Sequence, residues 1–392
     1  MDGYVHPDFG SVSERVRTML GKKSTTGGIA VAVYHHGEKV VDVWGGTRDK
    51  SGRPWERDTM SMSFSTTKGV VATTLHRLAD RGEVKYNDPV ATYWPEFAQA
   101  GKENITVRHL LTHRAGLHPI KPLVDDASEL LDWDHMAAKL AAAAPVWEPG
   151  TRPGYHALTF GWLVGEVIRR VTGSSVRDAV RREVADPLGL DGIHIGAPPE
   201  VRDDVADLIF DPSSQERLDK MTAWMEKRER FRPFVEALVV DGFNDYVNTD
   251  EIYEAQIPAA NGVFTARSLA RMYAELATPG DFDGEPFISS DTMERATVVQ
   301  STQRDAVVMF PMRWRLGYHL AATTAGAPPE GFGHFGFGGS GAWGDPETGL
   351  SVAMVLNQIG GTPFGDMRFA RVGAVALKSA RSRDGIPRRR KR

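Results

Sequence analysis

The chain has 392 residues, of which 41% are hydrophobic and 25% charged, and a net charge of −4. That balance suits one large two-lobed globular unit and gives no global field to attract nucleic acid or a membrane surface. There is no cysteine, which excludes disulfides, thiolate catalysis, Cys-ligated zinc and iron–sulfur clusters.

The first residues, Met1-Asp2-Gly3-Tyr4-Val5-His6-Pro7, lack the basic start and apolar run of a secretory signal. No stretch of about 18 consecutive apolar residues occurs, so no membrane span and a cytoplasmic location are expected. Residues 28–34 and 39–44 are short β-rich runs separated by His35, His36, Gly37 and Glu38, a hairpin signal. Adjacent strand residues point to opposite faces, so His35 and His36 read as turn surface rather than as a metal pair. Residues 66–81 predict a helix, with Val71, Leu75 and Leu78 at i, i+4 and i+7 and Gly82 as its stop. Helical signals dominate from 105 to 185. A second strong helix covers about 158–172, where Phe160, Leu163, Val164, Val167, Ile168 and Val171 share a face and Gly173 follows.

From 197 to 258 the pattern loosens and aromatics accumulate, among them Phe210, Trp224, Phe234, Phe243 and Tyr246. Residues 263–277 read as helix. The glycine-rich stretch 331–341 precedes β-like runs at 342–345 and 350–357, with a turn at 345–349. Residues 365–380 suit a closing helix, and 383–392 form a basic tail expected to be disordered. Strands therefore sit at both ends and helices fill the middle. The expected fold is α+β: an antiparallel sheet flanked by helices, built from both chain ends, with an inserted mostly helical lobe. The expected division is 1–64 and 261–382 for the sheet-containing lobe and 65–260 for the helical lobe.

Ser65 lies at the start of the 66–81 helix, and Lys68 is three residues on. Their Cβ atoms then share one face, about 5–6 Å apart. The helix N-terminus favours negative charge developing beside the serine. A serine needs a base, and lysine serves only if its pKa falls well below about 10.4. Ser-x-x-Lys alone also fits an N-cap serine beside a surface lysine. Its surroundings carry more information. Phe64-Ser65-Thr66-Thr67-Lys68 is followed by Ile105-Thr106-Val107-Arg108-His109-Leu110-Leu111-Thr112-His113-Arg114-Ala115-Gly116-Leu117. Then come Trp147-Glu148-Pro149-Gly150, Tyr155-His156-Ala157 with Gly161-Trp162, Asn261-Gly262 with Thr265-Ala266, and His334-Phe335-Gly336.

This ordered set resembles the serine β-lactamase and penicillin-binding-protein superfamily over about residues 25 to 380. The likeness is greatest to the class C branch and its family VIII carboxylesterases. The resemblance implies Ser65 as nucleophile, Lys68 as base or proton relay, and Tyr155 as a phenolate or a Lys68-coupled phenol. It also implies a third motif at His334 and Gly336, with the N–H groups of Phe337 and Ser65 as oxyanion hole. His334 also reads as a strand histidine bonded to a neighbouring carbonyl. The family's β-lactamases carry Lys-Thr-Gly in the third motif, where this chain has His and Phe before the glycine. The second motif usually has Asn or Ser where Ala157 stands. Both departures remove polar groups suited to a β-lactam or peptide, so a short-chain ester is the expected substrate. The alternatives are an amidase, D-amino-acid peptidase or β-lactamase, an acyltransferase, and a sensor that acylates without turnover.

No cofactor, metal or nucleic-acid partner is expected, and the oligomeric state is not readable. His109 and His113 stand i, i+4 without a third ligand, which points to capping or packing rather than zinc. Gly-x-Ser-x-Gly, His-Glu-x-x-His and the Gly-x-x-x-x-Gly-Lys-Ser/Thr loop are all missing. The aromatic segment 197–258 is the expected wall of the substrate pocket, with Trp224 and Tyr246 as its test positions.

Overall fold

A computed structural model describes residues 1–22, 24–280, 284–360 and 366–385. Seven strands make the main sheet: β1 (Asp2–Val5), β2 (Gly28–His35), β3 (Glu38–Gly46), β4 (His319–Leu320), β5 (Phe332–Phe335), β6 (Gly341–Asp345) and β7 (Leu350–Leu356). Their order is β1-β3-β2-β7-β6-β5-β4, every neighbouring pair antiparallel. The sheet is closed at its centre by β2 against β7, with Val31 opposite Met354 and Val33 opposite Val352. All eight residues of β2 are buried. Alternation sorts them onto two faces. Ile29, Val31 and Val33 join one core with helices α1 (Gly10–Leu20) and, at the other end of the chain, Met367–Arg383, through Val12, Val16, Phe369 and Val372. Ala30, Ala32 and Tyr34 face the larger core shared with the helical lobe.

That lobe contains α2 (Thr67–Asp80), α3 (Thr159–Thr172), α4 (Pro212–Glu226) and α5 (Arg232–Leu238), with α6 (Ala266–Ala277) leading back to the sheet and α7 (Met367–Arg383) closing it. Gly173 ends α3 in the left-handed region at φ 64°, the role its position predicts. A second, four-stranded sheet runs Ile193–Ile195, Gly262–Phe264, Met60–Met62 and Val205–Ala206. It sets Met62 opposite Val263, immediately before Ser65 in one strand and just after the 255–261 loop in the other.

The structure departs from the sequence expectations in three places. Helix α6 starts at Ala266 rather than 263, because Gly262–Phe264 is a strand paired on both sides by distant partners. His35, expected as turn surface, is the buried last residue of β2, while His36 lies in the exposed hairpin turn at φ 48° as expected; their rings approach to 4.3 Å and both reach Asp384. The 197–258 region is well structured, with α4, α5 and two shorter helices. Helix α7 continues through Arg383, and residues 386–392 of the basic tail lie outside the described residues. No described helix is long and apolar enough to cross a membrane.

Candidate active site

Ser65 sits in a single 3-10 turn, Phe64–Thr66, that runs into α2 at Thr67. Phe64 holds φ 44°, uncommon for a side chain of its size. Such strain persists only where neighbours over-determine it. Here Thr67 Oγ1 donates to Phe64 O at 2.5 Å and accepts from the Gly262 N–H at 3.0 Å, and Phe64 packs edge-on against Phe337. Gly262 is required at that contact: a Cβ would lie 2.5 Å from Thr67 Oγ1.

Two proton-carrying groups converge on the serine. Lys68 Nζ lies 2.9 Å from Ser65 Oγ, and the Tyr155 hydroxyl donates to the same oxygen at 2.7 Å. Lys68 is fully buried, and its other partner is the Ala259 carbonyl at 2.9 Å, to which it donates. No carboxylate pairs with it among the described residues. Burial therefore pushes the Lys68 ammonium well below its ordinary pKa. Burial also raises the Tyr155 phenol, and the hydrogen bond with Ser65 opposes this only in part. Both shifts favour a neutral pair.

The structure thus brings Ser65, Lys68 and Tyr155 into hydrogen-bond contact. Phe337 opens the turn Phe337–Gly339 after β5 and, with Ser65, lines a cavity of about 610 Å3. Gly336 packs directly under the nucleophile turn. His334 is not in the cavity wall. It lies buried behind Tyr155, the rings stacked at 6.2 Å, with Nδ1 3.0 Å from the Phe335 carbonyl. Burial pushes the His334 imidazole well below the usual histidine range, which favours its neutral form. His109 and His113 do capping and packing. His109 completes a reciprocal cap with Thr106, and His113 packs at a tilt against Trp314, its Nδ1 accepting from the His156 N–H.

Three supports escaped the sequence reading. The Ala259 carbonyl is a backbone group, shaped by Asn261, whose side chain accepts from the Ile257 N–H and donates to the Ile252 and Ala255 carbonyls. Asp305 is buried and accepts from the N–H groups of Tyr155, Val307 and Val308 and from Trp314 Nε1. Trp314 in turn stacks on Tyr155 at 5.6 Å and 14°. The Asn261-Gly262 pair was a visible signal for the first. For Asp305 and Trp314 no local pattern exists. The pocket wall also needs correction: Phe210, Phe234 and Phe243 line the cavity, whereas Trp224 and Tyr246 do not. On α4 the lining residues are Gln215, Leu218, Asp219, Thr222, Ala223 and Glu226, and Trp224 projects from another face, 41% exposed.

Across residues 14–377 the chain matches the protein-family profile described as Beta-lactamase. The chain belongs to the beta-lactamase family. Among curated proteins, this beta-lactamase family member is 40% identical over 365 residues to the esterase/beta-lactamase LipL of Mycobacterium tuberculosis, covering 91% of the chain and 83% of LipL. Among solved structures it superposes with a TM-score of 0.85 on a family VIII carboxylesterase, at 34% identity, covering 96% of this chain and 99% of that one. It superposes equally, at 35% identity and the same coverage, on a penicillin-binding protein homologue from Caulobacter crescentus. The class C-like, family VIII affinity read from the ordered motifs agrees with these neighbours.

Proposed function

We propose that this serine hydrolase cleaves carboxylic esters through an acyl-enzyme on Ser65, with neutral Lys68 as general base and the Tyr155 phenol as proton carrier. The observation that carries the reading is the convergence of Lys68 Nζ and Tyr155 Oη on Ser65 Oγ in the wall of an open cavity. A buried amine without a counter-ion has a free lone pair, so the Ser65 proton passes to Lys68 as Oγ attacks the carbonyl carbon. The N–H groups of Ser65 and Phe337 receive the oxyanion. Tyr155 then gives its proton to the departing alcohol oxygen and regains one from the Lys68 ammonium. Water repeats the sequence against the acyl carbonyl and frees Ser65.

The ester preference rests on the chain's own departures. Phe335 and Ala157 stand where the family's lactamases keep polar groups, and among the described residues no lysine or arginine lines the cavity. The related proteins bear esterase and carboxylesterase names as well as lactamase ones. Short-chain p-nitrophenyl esters are the first substrates to test, alongside a chromogenic cephalosporin. Sustained turnover by the native chain that disappears in Ser65→Ala, with an acyl mass trapped on Ser65, is the expected result. Equal rates in both proteins would remove Ser65 from the mechanism, and faster lactam than ester cleavage would reverse the preference.

A further inference from the structure

The cavity beside Ser65 has a polarity of its own. Near the nucleophile it is apolar, walled by Ala157, Leu158 and Phe337. Farther out, Phe234, Leu238, Val239 and Val240 continue the apolar lining, while the part of the wall built by α4 and residues 241–245 carries four carboxylates at exposed positions: Asp219, Glu226, Asp241 and Asp245. No lysine, arginine or histidine lines it among the described residues. Lys121 offsets one of these charges from behind, 3.0 Å from Glu226 and 3.7 Å from Asp241. Asp219 is hydrogen-bonded by the neutral Gln215 amide, and no cation pairs with Asp219 or Asp245 among the described residues. Phe210 and Phe243 line the same cavity, and aromatic side chains are the residue type that attracts a methylated cation.

We propose that this cavity selects esters whose arm ends in a positive charge, such as an alkylammonium, and discriminates against arms ending in a carboxylate. The proposal rests on the ester reading above and adds the chemical class of the substrate. The physical argument is that a concave wall of one sign focuses its field into the space it encloses. The apolar stretch next to Ser65 takes the methylene chain, and the carboxylate wall takes the cationic head. An arm carrying a carboxylate meets a surplus of like charge and no donor cation.

The test uses three p-nitrophenyl esters with the same butanoyl spacer, ending in trimethylammonium, tert-butyl or carboxylate. Each kcat/KM is divided by the ester's own hydroxide-catalysed rate, which removes differences in intrinsic reactivity. The expected order is cation, neutral, anion, with about tenfold between the extremes at low ionic strength, shrinking as salt screens the wall. In the double variant Asp219→Asn/Asp245→Asn the spread contracts. Equal normalised values for the three esters, or an anion-first order, would overturn the proposal; so would a spread that the double variant and salt leave unchanged. If no ester turns over, the ester reading fails by itself. The charge question is then read from the labelling rate of Ser65 by p-nitrophenyl phosphonates bearing the same three arms. A cation-first order there sustains the proposal, and the absence of any order refutes it.

Discussion

The contact between β5 and the nucleophile turn can be tested with a single methyl group. Gly336 has φ −98° and ψ 154°, which any residue adopts, so Gly336→Ala adds no backbone strain. Its Cβ would nevertheless lie 2.2 Å from the Ser63 carbonyl oxygen, 2.9 Å from Thr66 Oγ1 and 3.2 Å from the Ser63 carbonyl carbon. An ordinary carbon–oxygen contact is about 3.3 Å, so strand and turn must part by roughly 1 Å. The strand leads to Phe337 and the turn holds Ser65, so the displacement falls on the two proposed oxyanion donors. A 1 Å misplacement costs about 10²-fold, and losing one such donor about 10²–10³-fold in kcat. Overpacking adds about 1–3 kcal/mol of destabilisation. Steady-state hydrolysis of a p-nitrophenyl ester gives kcat and KM, and urea unfolding gives the stability. The expectation is a kcat loss of two to three orders with KM little changed. A Gly336→Ala enzyme with native kcat would show that this contact does not set the oxyanion geometry.

The direction of the Lys68 shift fixes a pH profile. The base must be unprotonated, so ester kcat/KM should fall only below a pKa lying well under 10.5, and the plateau should extend through alkaline pH because the Tyr155 phenol is also raised; an acid limb near the ordinary lysine value would refute the neutral-amine mechanism. Lys68→Arg, which stays charged, should abolish turnover while leaving the fold intact by circular dichroism. Asp305→Asn keeps one acceptor for the three backbone N–H groups but turns an amide N–H toward Trp314 Nε1. It should cost about 1–3 kcal/mol in urea unfolding and lower kcat more than it changes KM; unaltered kcat would free Tyr155 from this support. Asn261→Ala removes three buried hydrogen bonds at the loop carrying Ala259 and should destabilise by about 2–4 kcal/mol; a native unfolding midpoint would contradict that role.

What the sequence made legible was local. The helix behind Ser65 and the i, i+3 relation to Lys68 follow from periodicity, and the β2–β3 hairpin from two apolar runs around a tight turn. Tyr155 was reachable only through motif order, because nothing beside it in the chain marks it as a partner of residue 65. Asp305 was not reachable at all: a lone aspartate reads as surface until the fold buries it 150 residues away from the N–H it accepts. The Gly262–Phe264 strand failed for a related reason. Three apolar residues before a helix look helical unless two distant strands claim their backbone. His36 is the turn residue the sequence predicts, whereas His35 belongs to the buried strand because β2 runs one residue further into the hairpin than its apolar run suggests.

The pairing at the centre of the main sheet has a consequence for synthesis. Gly28 donates to Asn357 Oδ1, 329 residues further on, and every residue of β2 is buried in the finished sheet. At roughly 5–20 residues per second, ribosomes need tens of seconds to deliver that partner. Throughout that interval the β2–β3 hairpin has emerged with an apolar, hydrogen-bond-hungry edge and nothing to cover it. Such an edge recruits other nascent chains as readily as its own β7. The wait for β7 is therefore the stage of synthesis at which this chain is most open to pairing with a strand that is not its own.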